Sequence, residues 1–147
     1  MGNKYDEYGR MIKPVTVNGS LVPIEITAGG TDVVVTHLTV AATATATLPA
    51  VAGKRVYVTG FEVTGSGATT KTMKGAHLDG VNASPLYYYV TVPEGADVAI
   101  TPLIVQFTRP LPATAINGAV ALVVPSFGTG NAAQSAVLHG FYIDEEA

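Results

Sequence analysis

The chain has 147 residues, of which 48% are hydrophobic and only 13% charged. An average soluble domain carries about 25% charged residues, so a mean hydropathy of +0.34 points either to a membrane or to surface hidden against partners. No apolar run approaches the roughly 18–20 residues of a spanning helix, because Thr, Gly, Pro or a charge interrupts each one. The net charge of −3 and eight scattered Lys and Arg argue against a nucleic-acid binder, which needs a basic face. With no cysteine there is neither a disulfide framework nor a thiolate metal site.

The first residues, MGNKYDEYGRM, lack the apolar stretch of a signal peptide. Acid at Asp6 follows Tyr5 where a myristoylation motif wants Ser or Thr. Residues 1–12 read as a polar arm carrying Tyr5, Tyr8, Met11 and Ile12. Lys13–Val17 and Ser20–Thr27 flank Asn18-Gly19, and Asn-Gly suits a two-residue turn in which both positions need positive φ. A hairpin is therefore predicted. Ala28-Gly29-Gly30 is a break, dividing the chain into an arm and hairpin over 1–30 and a main domain over 31–147.

Strand signals fill the main domain, and no stretch of ten residues shows helical periodicity. Asp32–Val40 is a predicted strand with Val34, Leu38 and Val40 on one face. Thr43–Leu48 alternates strictly, with Thr43, Thr45 and Thr47 opposite Ala44, Ala46 and Leu48. That is the pattern of a half-buried strand. Arg55–Val63 and Thr69–Leu78 are the next two strands, separated by Gly65-Ser66-Gly67. After a turn at Asp79–Pro85 comes Leu86–Val92, LYYYVTV. Alternation sets Tyr88 with the core and sends Tyr87 and Tyr89 either outward or into a second core. Paired exposed tyrosines suit a protein or sugar contact.

Asp97–Phe107 is predicted as a strand bent, bulged or at an edge near Pro102, because proline cannot donate to a ladder. Arg109–Pro112 reads as a proline-rich corner, Ala119–Val124 as a buried strand, Pro125–Ala132 as a Gly-rich loop and Gln134–Ile143 as the last strand. About eight strands at short spacing make a β-sandwich or barrel. Periodicity does not separate jelly-roll from immunoglobulin-like topology, although the Cys and Trp of the latter are missing.

Chemistry-bearing residues are sparse. His37, His77 and His139 stand singly in strands, without metal-ligand spacing, although His37 and His139 have the option of meeting across neighbouring strands. Ser66 lacks the G-x-S-x-G setting of a hydrolase nucleophile. Gly128-Thr129-Gly130-Asn131-Ala132-Ala133 resembles a dinucleotide fingerprint in letters but lies between two strands rather than before a helix. Glu25, Glu62 and Glu94 are isolated, and Asp79-Gly80-Val81-Asn82 is only a faint calcium pattern. The sequence therefore predicts no catalytic residue, no metal and no cofactor.

The segments Pro49–Gly60, Val92–Pro112 and Ala136–Ile143 carry a resemblance to small virion structural proteins of tailed bacteriophages. Pro93-Glu94-Gly95-Ala96, Ile100-Thr101-Pro102 and Arg109-Pro110-Leu111-Pro112-Ala113 are its most distinctive pieces, and it covers roughly Thr47 to Ile143. The resemblance implies a single jelly-roll-like β-sandwich used for capsid decoration (cement), with no catalytic residues. It also implies the major capsid protein and further copies of the chain (a dimer or trimer) as partners, while the charge and the interrupted apolar runs argue against nucleic acid and membrane. Localisation would be the capsid surface, after synthesis in the host cytoplasm. The resemblance does not cover the N-terminal arm and implies no role for it. Read from the residues themselves, the contact residues expected are Tyr5, Tyr8, Met11, Ile12, Tyr87 and Tyr89. The alternative is a receptor- or carbohydrate-binding module of a tail or fibre, and a β-sandwich lyase or esterase would need a clustered acid–base set.

Overall fold

The computed structural model describes residues 31–145, together with the backbone strands at 4–5, 11–17 and 20–25. Every element is a strand. β1 (Lys4–Tyr5), β2 (Met11–Val17) and β3 (Ser20–Glu25) form an antiparallel sheet of their own. Val17 pairs with Ser20, which leaves a two-residue connection where Asn18-Gly19 predicts one. The short β1 pairs with β2 at Tyr5 and Met11, so part of the expected arm is strand.

The rest of the described chain is a β-sandwich. Its strands are β4 (Val33–Thr39), β5 (Ala44–Leu48), β6 (Lys54–Gly65), β7 (Thr72–Asp79), β8 (Leu86–Val92), β9 (Leu103–Pro112), β10 (Val120–Val124) and β11 (Gln134–Asp144). One sheet has the order β4-β11-β6-β9, the other β5-β10-β7-β8. The antiparallel pairs are nested: β4 with β11, β5 with β10, β6 with β9, β7 with β8.

Period-two alternation builds the core. Ala44, Ala46 and Leu48 are buried while Thr45 and Thr47 face water. Val120, Leu122 and Val124 fill the facing positions of β10, and Val56, Val58, Phe61, Val63 and Leu138 complete the opposite wall. Phe61 meets Tyr88 edge-on at 4.9 Å, so Tyr88 joins the core as alternation predicts. Val34, Leu38 and Val40 share a face as expected, and it is the outer one: Val33 and Val35 pack on the core instead.

Two sequence expectations are corrected. Asp97–Phe107 is not one strand, because the ladder starts at Leu103, after Pro102 has withheld its N–H. Arg109–Pro112 is not a corner but the end of β9. Gly60 pairs with Gln106 and Val58 with Leu111, so Phe107–Pro110 form a bulge opposite Thr59 alone. The prolines are tolerated because β9 is an edge strand.

Asp144 and Glu145 are anchored to β6. Asp144 lies 3.2 Å from Lys54, and Glu145 Oε2 accepts from Arg55 Nε at 2.6 Å.

Candidate contact surface

A cluster of exposed large side chains lies on the outer face of β7 and β8. Tyr87 and Tyr89 are 55% and 63% exposed. They project together because residues two apart on a strand share a face. Their rings are nearly parallel, 19° apart, with centroids separated by 6.4 Å. Across the ladder Tyr89 faces Gly75 and Tyr87 faces His77. A Cβ at Gly75 would sit 3.1 Å from Tyr89 and 3.2 Å from Tyr87, so the glycine lets both rings lie close to the sheet. The His77 imidazole is 5.1 Å from the Tyr87 ring, and exposed Met73 continues the same row. The result is a flat patch of aromatic, thioether and imidazole groups at a sheet edge.

Alternation identifies the two tyrosines but not their neighbours. Met73, Gly75 and His77 join them only through the β7–β8 register, and that register depends on the turn at Gly80–Pro85 rather than on any local pattern. Of the other expected contact residues, Tyr8 lies outside the described residues. Tyr5, Met11 and Ile12 are placed only as backbone, in β1 and β2.

The outer face of the other sheet holds a shallow depression of about 400 Å³, bordered by Val34, Glu62, Ile104, Gln106 and His139. His139 Nε2 lies 3.4 Å from Glu62 Oε1, within ion-pair reach, but without the alignment of a hydrogen bond. His37 does not reach this site. It pairs with Ala136, whereas His139 pairs with Val34, so the two imidazoles stand on opposite faces of the sheet. Instead, His37 Nδ1 accepts from the Thr45 N–H at 2.9 Å. Among the described residues no three His, Asp or Glu side chains converge on one point.

The Gly-rich loop and Ser66 belong to one polar knot. Ser66 Oγ accepts from the Ala132 and Ala133 amides at 3.0 and 3.1 Å. Buried Asn131 donates to the carbonyls of Ser66 and Ala133 at 2.8 and 2.9 Å and accepts from Ala41 N at 3.1 Å. The Gly128 and Asn131 amides are also engaged. The amides of Gly128, Asn131, Ala132 and Ala133 are thus occupied within the fold.

Comparison with family models, with curated proteins and with solved structures finds no match to this chain.

Proposed function

We propose that this chain is a virion structural protein of the capsid-decoration type, a homo-oligomer that binds the major capsid protein on the head of a tailed phage. The observation that carries the reading is the Tyr87–Tyr89 patch with Met73, exposed on the outside of a sandwich that has its own buried core. A monomer with no use for that surface would gain by making it polar. The nested strand pairs support the finer inference of a jelly roll, an architecture used in viral capsid and lectin domains. The resemblance over Thr47 to Ile143 and the 13% charge favour the same role.

The mechanism is mechanical. A rigid sandwich lays its outer face across subunits of the shell, and many modest contacts repeated around the lattice add avidity. The arm, through Tyr5, Tyr8, Met11 and Ile12, supplies further anchors, and the protein acts at the capsid surface after synthesis in the host cytoplasm. Purified protein is expected to bind shells of its cognate major capsid protein saturably and to raise their melting temperature. Tyr87→Ala/Tyr89→Ala is expected to weaken binding at least tenfold without altering the protein's own melt. Wild-type protein that fails to bind the shells sinks the reading.

The near-parallel exposed rings also favour a second reading, a receptor- or carbohydrate-binding module of the tail or fibre, since sugars stack on aromatic faces. It predicts glycan-array signals that Tyr87→Ala and Tyr89→Ala abolish. Silence on the array together with unchanged host adsorption counts against it.

A further inference from the structure

The two sheets end in four edge strands, which are not protected alike. An exposed edge carries unpaired N–H and C=O groups, and proteins that stay monomeric blunt it with charge, proline or a bulge. β9 has all three: Arg109, Pro110 with Pro112, and the bulge at Phe107–Pro110. β8 is bounded by Pro85 and Pro93. β5 is covered in part from within, since its Thr45 N–H is taken by His37.

β4 has none of these devices. It pairs with β11 through seven consecutive residues without a register shift, and no described strand pairs with its other side. No Asp, Glu, Lys or Arg stands between Asp32 and Lys54. Its outer face carries Val34 and Leu38 at 52% and 70% exposure, with Val40 just beyond. Among the described residues, an edge this regular and without Asp, Glu, Lys or Arg is an open template for another strand.

The pattern of β4 also matches itself. If two copies meet antiparallel about a two-fold axis at Thr36, Val34 of each lies opposite Leu38 of the other, and Thr36 faces Thr36. Side chains directly opposite in an antiparallel pair are close enough to pack. In a two-fold contact every residue on the axis meets its own copy, so a charged side chain there would repel itself. The absence of charge along β4 satisfies that condition.

We propose that the protein forms a two-fold dimer by antiparallel β4–β4 pairing centred on Thr36, which joins two four-stranded sheets into one of eight strands. This names a surface for the homo-oligomer of the proposed function but is read on the isolated protein, so each stands or falls separately.

Sedimentation equilibrium on the full chain at tens of micromolar tests it. Wild type is expected at twice the 15.1 kDa chain mass. Thr36→Lys and Thr36→Glu, each exposed and each facing its own charge across the axis, are expected to weaken association at least tenfold. An equimolar mixture of the two is expected to restore a one-to-one dimer. Ile104→Lys, on the far edge strand, is expected to leave the dimer intact. Circular dichroism melts establish that the variants fold, and Leu38→Lys carries the same test if Thr36→Lys does not. A monomeric wild type overturns the proposal, as does a Thr36→Lys or Leu38→Lys chain that still dimerises. Charged variants that dissociate but fail to pair with each other overturn the register. A wild-type monomer that binds shells removes the β4 dimer alone, whereas a dimer that ignores shells removes the capsid reading alone.

Discussion

Gln134 is fully buried at the start of β11 and uses its whole amide. Its Oε1 accepts the Phe127 N–H at 2.9 Å, and its Nε2 donates to the carbonyls of Val124 and Pro125 at 2.9 and 2.8 Å. Gln134→Leu keeps the bulk and removes all three bonds. A buried backbone group left without a partner costs about 1–3 kcal/mol. The Phe127 amide and the Val124 carbonyl both lose theirs in a buried setting, while the bond to Pro125 is only partly buried. Burying leucine in place of an amide returns part of the loss, leaving an expected destabilisation of about 3 kcal/mol. Against a total stability of about 5–15 kcal/mol that is a large fraction. With a urea dependence of about 1.5 kcal/mol per molar, the unfolding midpoint should fall by about 2 M with an unchanged slope. A shift below about 0.5 M at constant slope would refute the claim that this side chain holds the loop through hydrogen bonds.

The same geometry sets three other outcomes. Asn131→Ala removes the donor to Ser66 and Ala133 and the acceptor for Ala41. It should cost about 2–4 kcal/mol in urea unfolding, and a cost under about 0.5 kcal/mol would contradict the buried-knot account. Gly140→Ala places a Cβ 2.5 Å from the Tyr57 carbonyl and 2.7 Å from Leu48 Cδ1, beside the β6 bulge at Thr59. About 1–3 kcal/mol of overpacking should lower the melting temperature by at least about 3 °C. Burial raises the Tyr142 pKa above its ordinary 10.0, while its hydroxyl donates to the Pro49 carbonyl at 2.7 Å. An acid held protonated by the fold stabilises fully below its unfolded pKa, and that stabilisation disappears as pH rises through the folded one. The stability advantage of wild type over Tyr142→Phe should therefore be constant up to about pH 9 and shrink above about pH 10. An advantage that grows there would show the sign to be wrong.

How much of this is legible in the sequence depends on the range of the cause. Leu86–Val92 is readable to the residue, and Ala44–Leu48 to within one residue of the expected Thr43–Leu48, because alternation is a local consequence of the pleat. The hairpin at Asn18-Gly19 is readable because turn chemistry is local too. The end of β9 looks like a corner in sequence because proline in a strand is permitted only at an edge, and edge position is a property of the assembled sheet. Gln134 and Asn131 look like ordinary polar residues flanking a loop. Asn131 takes its role from Ala41 and Ser66, which no window on the chain brings together. Gln134 takes its role from Val124, Pro125 and Phe127, which lie within ten residues but meet its amide only where the loop folds back. Tyr87 and Tyr89 are halfway cases. The pleat puts them on one face, but their exposure requires that no second layer cover that face.

The inward and outward halves of each strand therefore carry different information. Inward positions are constrained by two sheets packing on each other, so apart from Tyr88 and Gln134 they are mostly Ala, Val, Leu, Ile or Phe and say little beyond the fold class. Outward positions are free of that constraint, and polar residues suffice there, as Thr45 and Thr47 illustrate. A tyrosine pair over a glycine on β8, and valine and leucine on an uncharged β4, are departures from that sufficiency. They occur on separate sheets, the first at the β8 edge and the second at the β4 edge. One is a flat side-chain patch suited to a second protein's surface. The other is a backbone edge suited to a copy of itself. A subunit that joins its twin by one surface and a lattice by another needs two such patches, placed so that filling one leaves the other open.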